Sequence, residues 1–201
     1  VYEKSGLISR LDRYIWEQAA AKLGEWKKAG INMSISVNIS PKDFYYIDIF
    51  NTFAGLIKKY DIEPSNLKIE ITETTIMSDV PNLMGELEEL RKAGFTLEMD
   101  DFGSGYSSLN TLKDINVDVL KVDMGFIKET KNVKKSRIIL ASVIKMAKEL
   151  NLLIITEGVE TEEQVDNLTK LGCDVFQGYY FSKAIDVNEF EKRYLYRKKA
   201  G

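Results

Sequence analysis

Asp100 and Asp101 stand side by side where the apolar run of "LEMDDFGSGYSS" (97–108) gives way to a glycine turn. Adjacent carboxylates repel, so such a pair at the end of a strand-like run calls for a positive partner between or beside them. Asn38, Glu70, Lys121, Glu157 and Gln177 each lie at or near the end of another strand-like stretch. Each has an ordinary explanation on its own: Asn38 as a cap or turn residue, Lys121 as a solvated lysine, the aspartate pair as loop decoration. Six consecutive strands all ending on such groups point instead to one shared site. Its atoms are carboxylate and amide oxygens without thiolate or imidazole, a set that suits Mg²⁺ or Mn²⁺. Two neighbouring aspartates can serve two ions, one bridging and one terminal, as two-metal phosphodiester hydrolysis requires. Lys121 can steady a phosphoryl oxygen or an attacking water.

Composition narrows the chemistry further. The 201 residues carry no histidine and one cysteine, Cys173. That excludes an internal disulfide, the usual zinc sites and Ser-His or Cys-His nucleophiles. A reducing, cytoplasmic compartment fits. The net charge of −3 offers no footprint for duplex nucleic acid. No apolar run reaches the roughly 18 residues that cross a bilayer, so neither a membrane nor a duplex is an expected partner of this segment.

The elements that must hold these residues alternate along the chain. Leu11, Ile15, Ala19, Leu23 and Trp26 recur at helical spacing, with Gly30 placed to end the helix. "MSISVNIS" alternates like a strand, and Ser40-Pro41 with Asp43 reads as a helix start capped by the serine. Ile49, Phe53, Leu56, Ile57 and Tyr60 form a second helical stripe ahead of the strand "LKIEITE". Leu83, Leu87 and Leu90 form another, ended by Gly94 and followed by the strand "FTLEMDD". A short helix over 108–113 leads to the strand "VDVLKVD", and a longer one over 135–150 leads to "LLIITEGVE". Thr161 with Gln164 makes a capping box for a helix ended by Gly172. The strand "DVFQGYYFS" and a last helix begun by Asp186 complete the pattern.

Strands alternating with helices, several of them almost continuously apolar, imply a buried parallel sheet in an α/β fold. An open doubly wound sheet and an α/β barrel both satisfy this. The first strand lacks a glycine-rich phosphate loop, which argues against the nucleotide-binding open sheets. A complete eight-stranded barrel usually needs about 250 residues, so a barrel here would be about two strands short.

"SVNIS", "KIEITE", "MDDFGSGYSSL", "LKVD", "TEGVE" and "QGYYFS" follow one another in the order and approximate spacing of the EAL-domain cyclic di-GMP phosphodiesterases. The opening "EKSGLISRLDRYIWEQA" also resembles that family's segment ahead of its "VNIS" strand. The resemblance covers essentially the whole chain, 1–201, as a single EAL domain, and "DDFGSGYSSL" is its most specific part. It implies a TIM-like (β/α) barrel with one antiparallel strand, and the opening of cyclic di-GMP to linear pGpG. Carried over residue by residue, Asn38 and Glu70 would bind one metal, Asp100 would bridge two, and Asp101 and Glu157 would bind the second. Lys121 would orient the water or phosphate, and Glu160 and Gln177 would support metal-bound waters. Glu73 would hold the "DDFGSGYSS" loop, where Phe102, Gly103 and Gly105 would report metal occupancy to a partner in a homodimer; a plain helix-entry charge is an equal reading of Glu73.

The family's naming Glu-Ala-Leu triplet does not occur in this sequence. The resemblance therefore implies a domain shortened at its N-terminus, without its first two strands, one metal-binding glutamate and a substrate-binding arginine. Impaired turnover is expected of this stretch. The alternative is a catalytically inactive cyclic di-GMP receptor or regulatory domain. A Schiff-base role for Lys121 in an aldolase-like barrel leaves the paired aspartates and Glu157 without a purpose.

Overall fold

The computed structural model describes residues 7–103, 108–125, 133–173 and 175–196, and in it six strands lie side by side in sequence order. They are β1 (Ile35–Asn38), β2 (Leu67–Thr72), β3 (Leu97–Phe102), β4 (Val119–Asp123), β5 (Leu153–Glu157) and β6 (Val175–Phe176). All five pairings are parallel, so no antiparallel strand is present among the described residues. The connecting helices are α1 (Leu7–Lys28), α2 (Asp43–Tyr46), α3 (Ile49–Tyr60), α4 (Glu73–Ile76), α5 (Leu83–Lys92), α6 (Ser108–Asp114), α7 (Val133–Glu149) and α8 (Glu162–Leu171). A last short helix, α9 (Val187–Phe190), runs into a π-helical turn over Glu191–Leu195.

Strand alternation sorts core from site. On β2 Leu67, Ile69 and Ile71 are fully buried and join the core under the helices, whereas Lys68, Glu70 and Thr72 turn to the other face. Each such buried side chain contributes roughly 1.5–3 kcal/mol. Trp16 of α1 packs on Phe53 of α3 at 5.0 Å between ring centroids, and Phe53 meets Phe95 edge-on at 5.7 Å. This aromatic row fixes α1 and α3 against the start of β3.

Three local expectations are corrected by the structure. On α1 the buried stripe is Trp16, Ala19, Ala20, Leu23 and Trp26, with Leu11 56% and Ile15 45% exposed. The helix turns to bury the larger indole, whose Nε1 donates to Asn38 O at 2.9 Å. Ser40 does not cap α2. The bond runs the other way, Asp43 Oδ2 accepting from Ser40 N at 2.8 Å and Ser40 Oγ at 2.7 Å. The final strand is only two residues long, because the chain turns over Tyr179–Phe181 after Gly178. There Val159 N donates to Gln177 O and Tyr180 N to Val159 O, at 3.1 and 3.0 Å. A Cβ on Gly178 would fall 2.1 Å from Val159 O. Gly178→Ala is therefore expected to destabilise the protein by about 1–3 kcal/mol, read as a lower urea midpoint.

The turn to Trp16 also brings Asp12, one helical turn earlier, to Asp43, which is 0% exposed. Burial, then the Asp43 charge, then a hydrogen bond with Asp43 push the Asp12 carboxyl from 3.8 up to about 6. The folded state thus holds this proton more tightly than the unfolded chain does. Its stabilising effect is complete below about pH 4 and is lost as the pH rises through about 6. Asp12→Asn keeps a donor for Asp43 and carries no charge. Thermal melts should show the variant close to wild type below about pH 4 and more stable than wild type above about pH 7.

Candidate active site

Lys121, in the middle of β4, is the hub of the site. Its Nζ lies 2.8 Å from Glu70 Oε1 on β2, 3.1 Å from Asp100 Oδ1 on β3 and 2.9 Å from Glu157 Oε1 on β5. One ammonium can reach β2 and β5 together only if the sheet curls, so these three contacts record its concavity. The lysine side chain is 5% exposed and the three carboxylates are mostly covered. Burial alone would lower the lysine's pKa, but hydrogen bonds to Glu70 and Glu157 outweigh it and the value is raised. Burial raises Glu70 and Glu157, each partly offset by Lys121 and pushed further up by Asp100.

The aspartate pair is set by an irregularity. The register of β3 on β4 shifts between Met99 and Phe102, and Asp101 takes a left-handed conformation with φ of 56°. Neighbours in a regular strand point to opposite faces. The bulge turns the chain so that Asp101, exposed at the rim, still feels Asp100, while its backbone N donates to Asp100 Oδ1 at 3.0 Å. Burial first, then the charges of Asp100 and Asp123, raise the Asp101 pKa, with Lys121 opposing them.

Asp123 joins the site beyond the residues that the strand-end pattern singles out. It ends β4 opposite Glu157 on β5, and its Oδ1 accepts from Gly125 N at 2.7 Å. Gly158 leaves room for it, since a Cβ there would lie 3.3 Å from the same oxygen. The signal available in "LKVD" was a second charge two positions after Lys121, hence on the same strand face.

The remaining expected residues lie around this cluster. Asn38 ends β1 opposite Glu70, exposed, with its backbone O held by Trp16. Gln177, also exposed, follows β6 with its backbone N bonded to Thr156 O at 2.8 Å. Among the described residues, no hydrogen bond joins either amide side chain to the cluster. Glu160 is exposed in the loop before α8, its N donating to Gln164 Oε1 at 2.7 Å. Glu73 is buried as the first residue of α4, which packs on β3 and α6. Gly105, and with it residues 104–107 of the loop that Glu73 was expected to hold, lies outside the described residues.

Among the described residues, no group of three or more Asp, Glu, His or Cys side chains is spaced to hold a metal ion as it stands. The Lys121 ammonium fills the space between the carboxylates. The donors nevertheless fit a hard divalent cation: oxygens from three strands already converge on one positive charge, and three carboxylates outnumber the single ammonium.

Parallel strands in unbroken sequence order, curled so that Lys121 on β4 reaches both β2 and β5, and gathering polar side chains at their C-terminal side, define a protein of the TIM-like barrel class rather than an open doubly wound sheet. Within that class the chain belongs to the EAL domain family, whose model matches residues 1–184. It is 34% identical over 192 residues to the signaling protein YkoW of Bacillus subtilis, covering 96% of this chain and 24% of that protein. It is also 34% identical to MucR of Pseudomonas aeruginosa, a bifunctional diguanylate cyclase/cyclic di-GMP phosphodiesterase, over 93% of this chain and 27% of MucR. The chain thus spans about a quarter of the length of these curated relatives. Among solved structures, the PaMucR phosphodiesterase in complex with c-di-GMP superposes with a TM-score of 0.85 at 34% identity, over 94% of this chain and 77% of that one. A manganese/c-di-GMP complex of Klebsiella pneumoniae BlrP1 gives 0.76 at 29%, over 87% and 44%. No described helix is long and apolar enough to cross a membrane.

Proposed function

We propose that residues 1–201 act as an EAL phosphodiesterase domain that opens cyclic di-GMP to linear pGpG with two Mg²⁺ or Mn²⁺ ions. The observation that carries this reading is the convergence of Glu70, Asp100 and Glu157 on Lys121 at the C-terminal side of the sheet. Asn38, Glu70, Asp100, Asp101 and Glu157 would hold the ions, with Asp123 beside them. Bound metals would supply Lewis acidity at the phosphate and a water of lowered pKa. Lys121 gives up part of its carboxylate contacts and places its charge on a phosphoryl oxygen or the water. Glu160 and Gln177 would hold waters at the rim, and Glu73, buried at the start of α4 where that helix packs on β3, would serve the loop-holding role that the family resemblance implies. That loop is the element through which a homodimer partner would sense the site, and the domain would work in the cytoplasm.

Chromatography of cyclic di-GMP incubated with the protein tests the reading. Linear pGpG should form only when Mg²⁺ or Mn²⁺ is present, and slowly if further ligands lie upstream in the full protein. Binding of cyclic di-GMP with no pGpG at any metal concentration would replace this reading by that of a receptor domain.

A further inference from the structure

Beneath the rim lies a second polar cluster to which no role has been given. Glu98 on β3 is 1% exposed, on the concave face where a barrel usually packs branched apolar side chains. Its Oε1 lies 3.0 Å from Lys68 Nζ on β2, and its Oε2 accepts from Ser36 Oγ on β1 at 2.9 Å. A charge so deeply covered is costly unless it is paired and hydrogen-bonded. Here both oxygens are engaged.

The placement of the three residues is informative. Ser36 stands two positions before Asn38, Lys68 two before Glu70, and Glu98 two before Asp100. Side chains two apart on a strand share a face, about 6–7 Å from one another. Strand by strand, each member of the cluster therefore lies one step before an expected metal ligand, and across the sheet Glu98 stands in register with Glu70. Its Ser36–Glu98 bond passes over β2 to join two strands that are not neighbours in the sheet. A bond of 2.9 Å across an intervening strand requires β1 and β3 to curl toward each other. Among the described residues β1 is an edge strand, and the Asn38 side chain makes no hydrogen bond of its own, so this curl sets how near Asn38 comes to Asp100.

We propose that Ser36, Lys68 and Glu98 are positioning residues that set the curl of β1–β3 and thereby the spacing of Asn38, Glu70 and Asp100 for divalent metal. This inference rests on the metal-binding reading of the rim. It concerns how tightly the ions are held, before any chemistry takes place.

The test is Mn²⁺ titration of the protein, with free ion followed by electron paramagnetic resonance and melting temperature recorded without metal. Glu98→Gln and Lys68→Met should each weaken Mn²⁺ binding by about 10–100-fold, the usual effect of losing a group behind a ligand. Ser36→Ala, at an exposed position that leaves the ion pair intact, should weaken it several-fold and lower the melting temperature less than the two charge variants do, and covers the case in which a buried variant does not fold. A simple field effect would move the two charge variants in opposite directions, because Lys68 repels a metal and Glu98 attracts one. That outcome would overturn the proposal. So would lowered melting temperatures with Mn²⁺ affinity unchanged, the mark of a merely structural pair. Asp100→Asn serves as the control: a wild type that binds Mn²⁺ no better than this variant refutes the metal reading itself, and the positioning role falls with it.

Discussion

Asp100→Asn is expected to cut the turnover of cyclic di-GMP by at least about a thousandfold, or about 4 kcal/mol of barrier. Asp100 Oδ1 lies 3.1 Å from Lys121 Nζ and accepts from Asp101 N at 3.0 Å. Asparagine retains an oxygen in that place, so the bulge of β3 and the backbone hydrogen bond survive. What disappears is the negative charge on β3, which stands beside Glu70 on β2 and is separated from Glu157 on β5 by the β4 strand of Lys121. A ligand bridging two divalent ions must offset their mutual repulsion, and a neutral amide does this poorly. The check is steady-state hydrolysis at saturating Mg²⁺, alongside a melting curve showing that the variant is folded. Turnover equal to wild type would remove Asp100 from the metal site.

Lys121→Ala should lower the maximal rate by about 100–1,000-fold, or about 3–4 kcal/mol of barrier, the range found when a preorganised group facing developing charge is removed. Metal affinity should hold or rise, because the same substitution frees Glu70, Asp100 and Glu157 from their shared ammonium. Those three carboxylates then repel one another in a covered site. The metal-free variant is accordingly expected to melt below wild type, and Mn²⁺ should restore it. Rate, calorimetric Mn²⁺ titration and melting with and without metal give the three readouts. Loss of metal binding in this variant would make the lysine a structural residue only.

Much of this arrangement is legible in the sequence, and the limits have physical causes. The Thr161–Gln164 capping box, the buried Leu83, Leu87 and Leu90 and the alternation of β2 depend on local spacing and are found as expected. Glu70, Asp100, Lys121 and Glu157 were legible because parallel strands bring their C-terminal ends together, whatever the details of packing. Asp123 and Glu98 were not. One reads as a strand-end charge and the other as an interruption in an apolar run, and only the curl of the sheet shows what each faces. The phase of α1 is not legible from spacing, because Leu11 and Ile15 keep the helical period as well as Trp16 does, and periodicity does not weigh an indole hydrogen bond to Asn38. Asp12 likewise reads as a surface charge until that phase brings it to Asp43. The short β6 turns on Gly178, whose need for space comes from Val159 across the turn.

Anomalous diffraction from crystals grown with Mn²⁺ and cyclic di-GMP addresses the central claim most directly, that the strand-end carboxylates form one divalent metal site around Lys121. Manganese peaks should appear in contact with Asp100 and shared with Glu70 on one side and Asp101 or Glu157 on the other, with the Lys121 ammonium drawn away from at least one of its carboxylates. Cyclic di-GMP bound at the rim with no manganese touching Asp100, and Lys121 still bridging all three carboxylates, would contradict it.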